Sequence, residues 1–444
     1  MRMSFINNIK NSLDDYKLKI IVKRKNLFIS FVFSLVLIGH SFSLLPTLAR
    51  GSNGGAYWPT NEWVIVEPEE QGMDSKDLSD MYEYIEDQSL DVHSVIIVRN
   101  GYIVSEEYLY NSHIRTEKKY GDDYPGPYGN DVIYNRTVHR QWSTTKSIMS
   151  LLVGIALKKG YLNGLNQTLY EFYANVWDTS YNDKMNITIE QLLIHNSGLP
   201  YGGFKDPIIE NVLSETLLFS PGTPGAFEYS NDGIDILSAI FNNVTGYNAS
   251  EFARKNLFEP MGITEEEWYW WGDSNNISSG SGGLMCTPRV QAKIGIMCLN
   301  NGTWNGTQVV PSNWIKEATS YKCEGSYYYG WPLRLVSFNL GYLFYIGEEG
   351  AYNTGGYGGQ NIHNIPKYNI TVAFTGKDVD LTYLEHIIDN YILKFAAENG
   401  PGGLIPSFPL VILVFNILGI MSIYIVILKK KIRKRENNYH NFSK

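Results

Sequence analysis

Cysteine is scarce in this chain. Three occur in 444 residues, Cys286, Cys298 and Cys323, an odd number at spacings that no metal site uses. A disulfide framework is therefore excluded, because at most one internal bridge can form. Histidine is nearly as sparse, at eight. No second histidine or carboxylate stands at ligand spacing beside His195, so that residue reads as a structural hydrogen-bonding group. The absence of clustered ligands argues against a metal-dependent hydrolase. The glycine-rich stretch Ser279-Gly280-Ser281-Gly282-Gly283 lacks the following lysine and the preceding strand of a phosphate loop, and no cofactor is implied. A basic stripe is also missing. The first fifty residues carry eight Lys/Arg against two Asp, and residues 429–444 carry seven against one Glu, so each flank is +6 and residues 51–428 hold −20 of a net −8. A body that acidic excludes nucleic acid as a natural partner.

Long apolar runs number two. Leu27 to Gly39 follows Lys23-Arg24-Lys25 and closes near Thr47-Leu48-Ala49, which makes residues 1–50 a signal peptide or a signal anchor. Phe408 to Leu428 is long enough to cross a bilayer as a transmembrane helix. The basic tail at 429–444 follows at once and belongs on the cytoplasmic side. On either reading of the first segment, the body at 58–398 lies outside a membrane to which the carboxyl-terminal helix binds it. Nine Asn-x-Ser/Thr sequons in that body fit an exported glycoprotein.

The body is organised around Trp142-Ser143-Thr144-Thr145-Lys146-Ser147 and the apolar stretch that follows. Ile148, Leu151, Leu152, Ile155 and Ala156 fall at i, i+3, i+4, i+7 and i+8, which predicts a helix buried on one face. Lys158-Lys159-Gly160 ends it. Ser143 then stands at the amino end of a core helix, with Lys146 one turn on along the same face. A serine hydroxyl needs a base to become a nucleophile, and a lysine serves if burial or a second cation lowers its pKa. The helix amino end also offers N–H groups to an oxyanion. The competing reading of Ser143 is a plain N-cap.

Around this helix the signals alternate. Met73 to Gln88 has helical spacing. Ser94 to Val104 reads as two strands joined by an Asn100-Gly101 turn. Residues 111–134 form a polar loop, either a cleft wall or a solvated insertion. From Ser143 to Thr319 the pattern is mostly helical, including Ile234 to Asn242 and Pro288 to Leu299. Strand character returns at Tyr327 to Tyr345 and at Ile370 to Phe374, and Leu381 to Phe395 is a closing helix. This order predicts an α+β fold: one antiparallel sheet made from both ends of the body, flanked by helices, with the middle as a helical subdomain. A cleft between them would hold Ser143.

At this point the sequence resembles the serine β-lactamase and penicillin-binding-protein superfamily over roughly residues 60–395. The similarity is greatest to the class C-like branch with its esterases, D-aminopeptidases and 6-aminohexanoate-dimer hydrolases. The carrying residues are Ser143-Thr144-Thr145-Lys146, Leu192 to Leu199, Pro221-Gly222-Thr223, Tyr229-Ser230-Asn231, Ser281-Gly282-Gly283-Leu284 and Gly358-Gly359-Gln360. The resemblance implies Ser143 as the acylated nucleophile, Lys146 as its base, and Tyr229 as the partner that protonates the leaving group. It implies Asn231 as a ligand of substrate or of Lys146. The third family motif, Lys/His-Thr-Gly, falls on Thr354-Gly355-Gly356 or, one residue earlier, on Asn353-Thr354-Gly355; neither supplies a cation. In the first register Thr354, Gly356 and Tyr357 line the substrate, with the Tyr357 N–H joining that of Ser143 in an oxyanion hole.

The resulting expectation is a membrane-anchored, outward-facing serine hydrolase that cleaves an ester or amide of a small-molecule or peptide substrate through an acyl-enzyme. The alternatives are a β-lactamase or D-Ala carboxypeptidase, which the missing cation disfavours, and a non-catalytic ligand-binding or sensor protein of the same fold.

Overall fold

The computed structural model describes residues 58–60, 62–109, 138–329 and 334–394. The segment at 1–50, the polar loop at 111–134, the apolar run Phe408 to Leu428 and the basic tail lie outside the described residues. Among the described residues no helix is long and apolar enough to cross a membrane.

The strands, in chain order, are β1 (Val92–Arg99), β2 (Tyr102–Tyr108), β3 (His139–Arg140), β4 (Trp268–Trp270), β5 (Leu284–Cys286), β6 (Thr303–Trp304), β7 (Thr307–Gln308), β8 (Cys323–Tyr329), β9 (Arg334–Leu340), β10 (Tyr345–Ile346), β11 (Tyr352–Gly356), β12 (Gln360–Ile365) and β13 (Ile370–Gly376). Eight of them form one sheet in the order β2-β1-β13-β12-β11-β10-β9-β8. Its pairings are antiparallel, so strands from both ends of the body meet at β1 and β13, where Val98 pairs with Thr371. Asn100 and Gly101 turn β1 into β2 with φ of 55° and 88°, the left-handed pair that a tight hairpin requires.

Four long helices, α1 (Ser75–Asp87), α2 (Thr144–Lys158), α3 (Asn231–Thr245) and α4 (Pro288–Leu299), and the closing helix α5 (Leu381–Ile387) organise the packing: α1 and α5 on one face of the sheet, α2 and α4 on the other, with α3 in the helical middle. Alternation along β1 separates two cores. Val95 and Ile97 pack with Leu78, Met81 and Ile85 of α1 and Leu384 and Ile387 of α5. Ile96 and Val98 pack on the other face in the cluster that contains α2 and α4. Each fully buried aliphatic side chain here contributes about 1.5–3 kcal/mol relative to exposure.

Three expectations change in the structure. Helix α2 is buried all round from Thr144 to Ala156, not on one face, because it is held between the sheet and the helical subdomain. Its approach to the helix at Ser312–Ala318 is so close that a Cβ on Gly154 would lie 2.2 Å from Trp314 Cδ1. The strand-like stretch Tyr327 to Tyr345 is divided among β8, β9 and β10, since each reversal needs its own turn. The closing α-helix stops at Ile387 and continues as a wider turn over Ile388–Ile392. The helical middle also contains two small sheets, β3-β5-β4 and β6-β7.

Candidate active site

The amino end of α2 is fixed from below before Ser143 is reached. Gln141 is buried; its N–H donates to Leu284 O at 2.8 Å, and its side-chain carbonyl accepts from Gln291 Nε2 at 2.6 Å. Trp142 then takes a φ of 47°, unfavourable for a bulky residue, and turns the chain into the helix. Ser143 occupies the N-cap position with helical φ and ψ of −67° and −13°, yet its side chain makes no capping bond. The plain capping role is therefore absent, and the Ser143 Oγ accepts a hydrogen bond from Lys146 Nζ at 3.0 Å.

Lys146 is 3% exposed, and its ammonium is surrounded by acceptors. Besides Ser143 it donates to Asn231 Oδ1 and to Ser281 O, each at 2.7 Å. Burial lowers its pKa from 10.5 to about 7, against the opposing pull of the Asp235 carboxylate. The residue thus has both the geometry and the proton affinity of a base for Ser143.

Three residues on one turn assemble the opposite wall. Tyr229 lies with its ring centroid 4.9 Å from Lys146 Nζ. Ser230 caps α3 by accepting from Gly233 N at 2.8 Å, which makes Asn231 the first helical residue rather than part of a loop. Asn231 is held at both ends of its amide, since its Nδ2 donates to Gly202 O at 3.2 Å. His195 supports the turn from behind. Its Nδ1 accepts from Ser230 N at 3.1 Å and its ring packs 4.7 Å from that of Tyr229. Burial, and the nearby Lys146, push its pKa down to about 3, so it is the neutral structural group expected from its sequence context.

The third motif lies on β11. Thr354 turns its side chain toward α2, 3.2 Å from Thr144 Oγ1, and its hydroxyl accepts from Ile362 N at 3.0 Å. The Asn353 side chain bonds to Asn361 Nδ2 instead. Strand alternation puts Thr354 and Gly356 on the side of β11 that meets the nucleophile turn, and Asn353 on the other. Thr354 is itself buried, so its side chain ties β11 to α2 beneath the cleft. Gly356 passes so near that turn that a Cβ would meet Gln141 O at 2.4 Å. Tyr357 follows at the surface, 52% exposed, with its ring 5.5 Å from that of Trp142 and its hydroxyl donating to Asp378 at 2.7 Å.

Sequence reasoning missed Asp235 and the carbonyl of Ser281. Asp235 is completely buried, and burial raises its pKa to about 6. It accepts from Ser281 N at 2.8 Å and from Ser281 Oγ at 3.0 Å, and so fixes the carbonyl that receives Lys146. One signal was available: Asp235 stands four residues after Asn231, on the same face of α3. A backbone carbonyl carries no such signal. Asp232, buried next to Asn231, has Lys205 Nζ 3.7 Å from its Oδ2, an ion pair too long for a hydrogen bond, and burial raises its pKa to about 7. No group of three metal-ligating side chains occurs among the described residues.

The chain is similar to several known proteins. A lovastatin esterase of Penicillium rubens is 25% identical over 163 residues, 31% of this chain and 40% of that protein. A 6-aminohexanoate-dimer hydrolase of Paenarthrobacter ureafaciens is 29% identical over 101 residues, 23% of this chain and 26% of its own. The aligned segments thus span less than half the length of these two curated relatives. Among solved structures, EstCE1, a hydrolase with promiscuous acyltransferase activity, superposes with a TM-score of 0.55 at 16% identity, covering 73% of this chain and 99% of that one. The Beta-lactamase family matches residues 78–381, from α1 into α5, and encloses every residue of the site just described. The chain belongs to the Beta-lactamase family.

Proposed function

We propose that this protein is a serine hydrolase of the esterase or amidase type, working through an acyl-enzyme on Ser143. The observation that carries the reading is the Lys146 ammonium, buried, 3.0 Å from Ser143 Oγ and with a pKa lowered to about 7. The neutral amine takes the Ser143 proton as Oγ attacks the substrate carbonyl. The N–H groups of Ser143 and Tyr357 receive the developing oxyanion, at a few kcal/mol per donor. Proton transfer through Lys146 and Tyr229 lets the alcohol or amine leave, and water then attacks the acyl-serine with the same groups acting in reverse. Asn231 holds Lys146 in place. Tyr357 stands at the opposite edge of the substrate cleft, and Thr354 and Gly356 support that edge from below.

The neutral third motif favours an ester, small amide or peptide over a penicillin or a peptidyl-D-alanine, because Thr354 offers no cation to a substrate carboxylate. The apolar run at 408–428 and the basic tail behind it support a membrane-anchored domain facing outward. The test is labelling of the full-length chain by a fluorophosphonate probe, with S143A and K146A as controls. Labelling of the wild type that disappears in both variants supports an activated serine. A folded wild type that is not labelled refutes the reading.

A further inference from the structure

A continuous row of flat side chains runs through Trp142, the residue before Ser143. Phe204 and Trp271 meet edge to face at 4.5 Å between centroids. The guanidinium carbon of Arg140 lies 5.5 Å from the Trp271 ring centroid and 3.5 Å from that of Trp142. Trp142 in turn meets Tyr357. The row begins on the loop ahead of α3, crosses Trp142 next to the nucleophile, and ends on the residue that follows β11.

The row is exposed at both ends and half-buried between them. Phe204 is the one exposed phenylalanine among the described residues, at 49%, and Tyr357 at the far end is more than half exposed. By contrast, Phe241, Phe252, Phe258, Phe344 and Phe374 are fully buried. Keeping such apolar surface in water costs free energy, which a bound ligand recovers. The one cation in the row, Arg140, lies over the Trp142 indole, where its charge interacts with the ring quadrupole. The body around it carries −20, which repels anions.

From this row, and resting on the serine-hydrolase reading above, we propose that the substrate carries a bulky, flat, uncharged group, aromatic or fused-ring, seated along Phe204, Trp271, Arg140 and Trp142 next to its scissile ester or amide bond. Offset and edge-to-face contacts with two or more rings are worth about tenfold in affinity. The row also gives selectivity against small acyl groups, which reach Ser143 but leave the rings wet.

Two measurements on the full-length chain test this. The first titrates 2-naphthol into S143A by calorimetry, which reads binding whether or not the protein is catalytic. Saturable binding that weakens at least tenfold in S143A/W271A, and recovers in S143A/W271F, is expected. No saturable binding, or binding equal in all three proteins, overturns the proposal. The second compares kcat/KM for methyl 2-naphthoate and 2-naphthyl acetate with that for vinyl acetate. The larger of the two naphthyl-to-vinyl ratios should fall at least tenfold in W271A and in F204A. Unchanged ratios overturn the proposal, as does a preference for the anionic 2-naphthyl hemisuccinate, which would assign Arg140 to a carboxylate. Failure of the serine-hydrolase reading looks different: none of the esters is cleaved and no probe labels the wild type.

Discussion

Replacing Asp235 with Asn removes one buried negative charge while keeping the shape of the side chain. In the wild type the carboxylate accepts from both Ser281 N and Ser281 Oγ. An asparagine preserves both contacts, its Oδ1 accepting from the backbone N–H and its Nδ2 donating to the hydroxyl, whose proton rotates away. Geometry is therefore retained and the change is electrostatic. Burial alone lowers the Lys146 pKa, and the Asp235 charge partly restores it, giving a value of about 7. At pH 7 that amine is neutral in about half of the molecules, against roughly one in 3,000 at the unperturbed value of 10.5. Without the Asp235 charge the Lys146 pKa falls further, so the acid limb of kcat/KM moves to lower pH. A shift of one pH unit corresponds to about 1.4 kcal/mol, an ordinary size for one buried neighbour. The sign is fixed because the active form is the neutral amine: D235N gains relative activity on the acid side and loses some at the plateau, where a weaker base remains. Asp235 itself titrates near 6, so the two proteins should converge below that pH, where the wild-type carboxylate is also neutral. The assay is initial rate against pH on a short-chain ester, with circular dichroism to check folding. An acid limb that stays in place, or moves to higher pH, refutes this account of Lys146.

Three further outcomes follow from the same contacts. The lowered Lys146 pKa means that the unfolded chain binds more protons than the folded one between about pH 7 and 10.5. Wild-type stability should therefore rise with pH across that window relative to K146M, by about 1.4 kcal/mol per unit, with the full burial cost of the charge present below pH 7; urea unfolding at several pH values reads this. G356A places a Cβ 2.4 Å from Gln141 O and pushes β11 off the nucleophile turn, so steady-state kinetics should show loss of kcat while unfolding shows a cost of about 1–3 kcal/mol. G154A in α2 should destabilise by a similar amount in spite of its better helix propensity, because its Cβ would overlap the Trp314 indole; chemical denaturation checks it.

Much of the architecture is legible in the sequence where a local signal is strong. The Asn100-Gly101 turn permits only a tight hairpin, and strand alternation near both ends of the body implies one sheet built from both. The Ser143 and Lys146 pair is legible because two residues three apart on a helix must meet. What is not legible depends on contacts between distant segments. Helix α2 is buried on all sides because of what packs around it, and the serines and glycine on its second face do not announce that. The strands of the β3-β5-β4 sheet, two or three residues long, are too short for period-two patterning to show. Which side chains of the third motif face α2 depends on how β11 pairs with β12, and Thr354 lies against Thr144. Asp235 is marked only by its place one helical turn after Asn231, and its hold on the Ser281 backbone leaves no side-chain pattern.

The central claim is that Ser143 becomes acylated. Rapid mixing of the wild-type protein with a slowly hydrolysed ester, an acid quench and intact-mass measurement should show a mass increase equal to the acyl group, mapping after proteolysis to the peptide that contains Ser143. S143A should show none. Ester cleavage by the wild type without any such adduct, or an adduct that persists in S143A, would contradict the account.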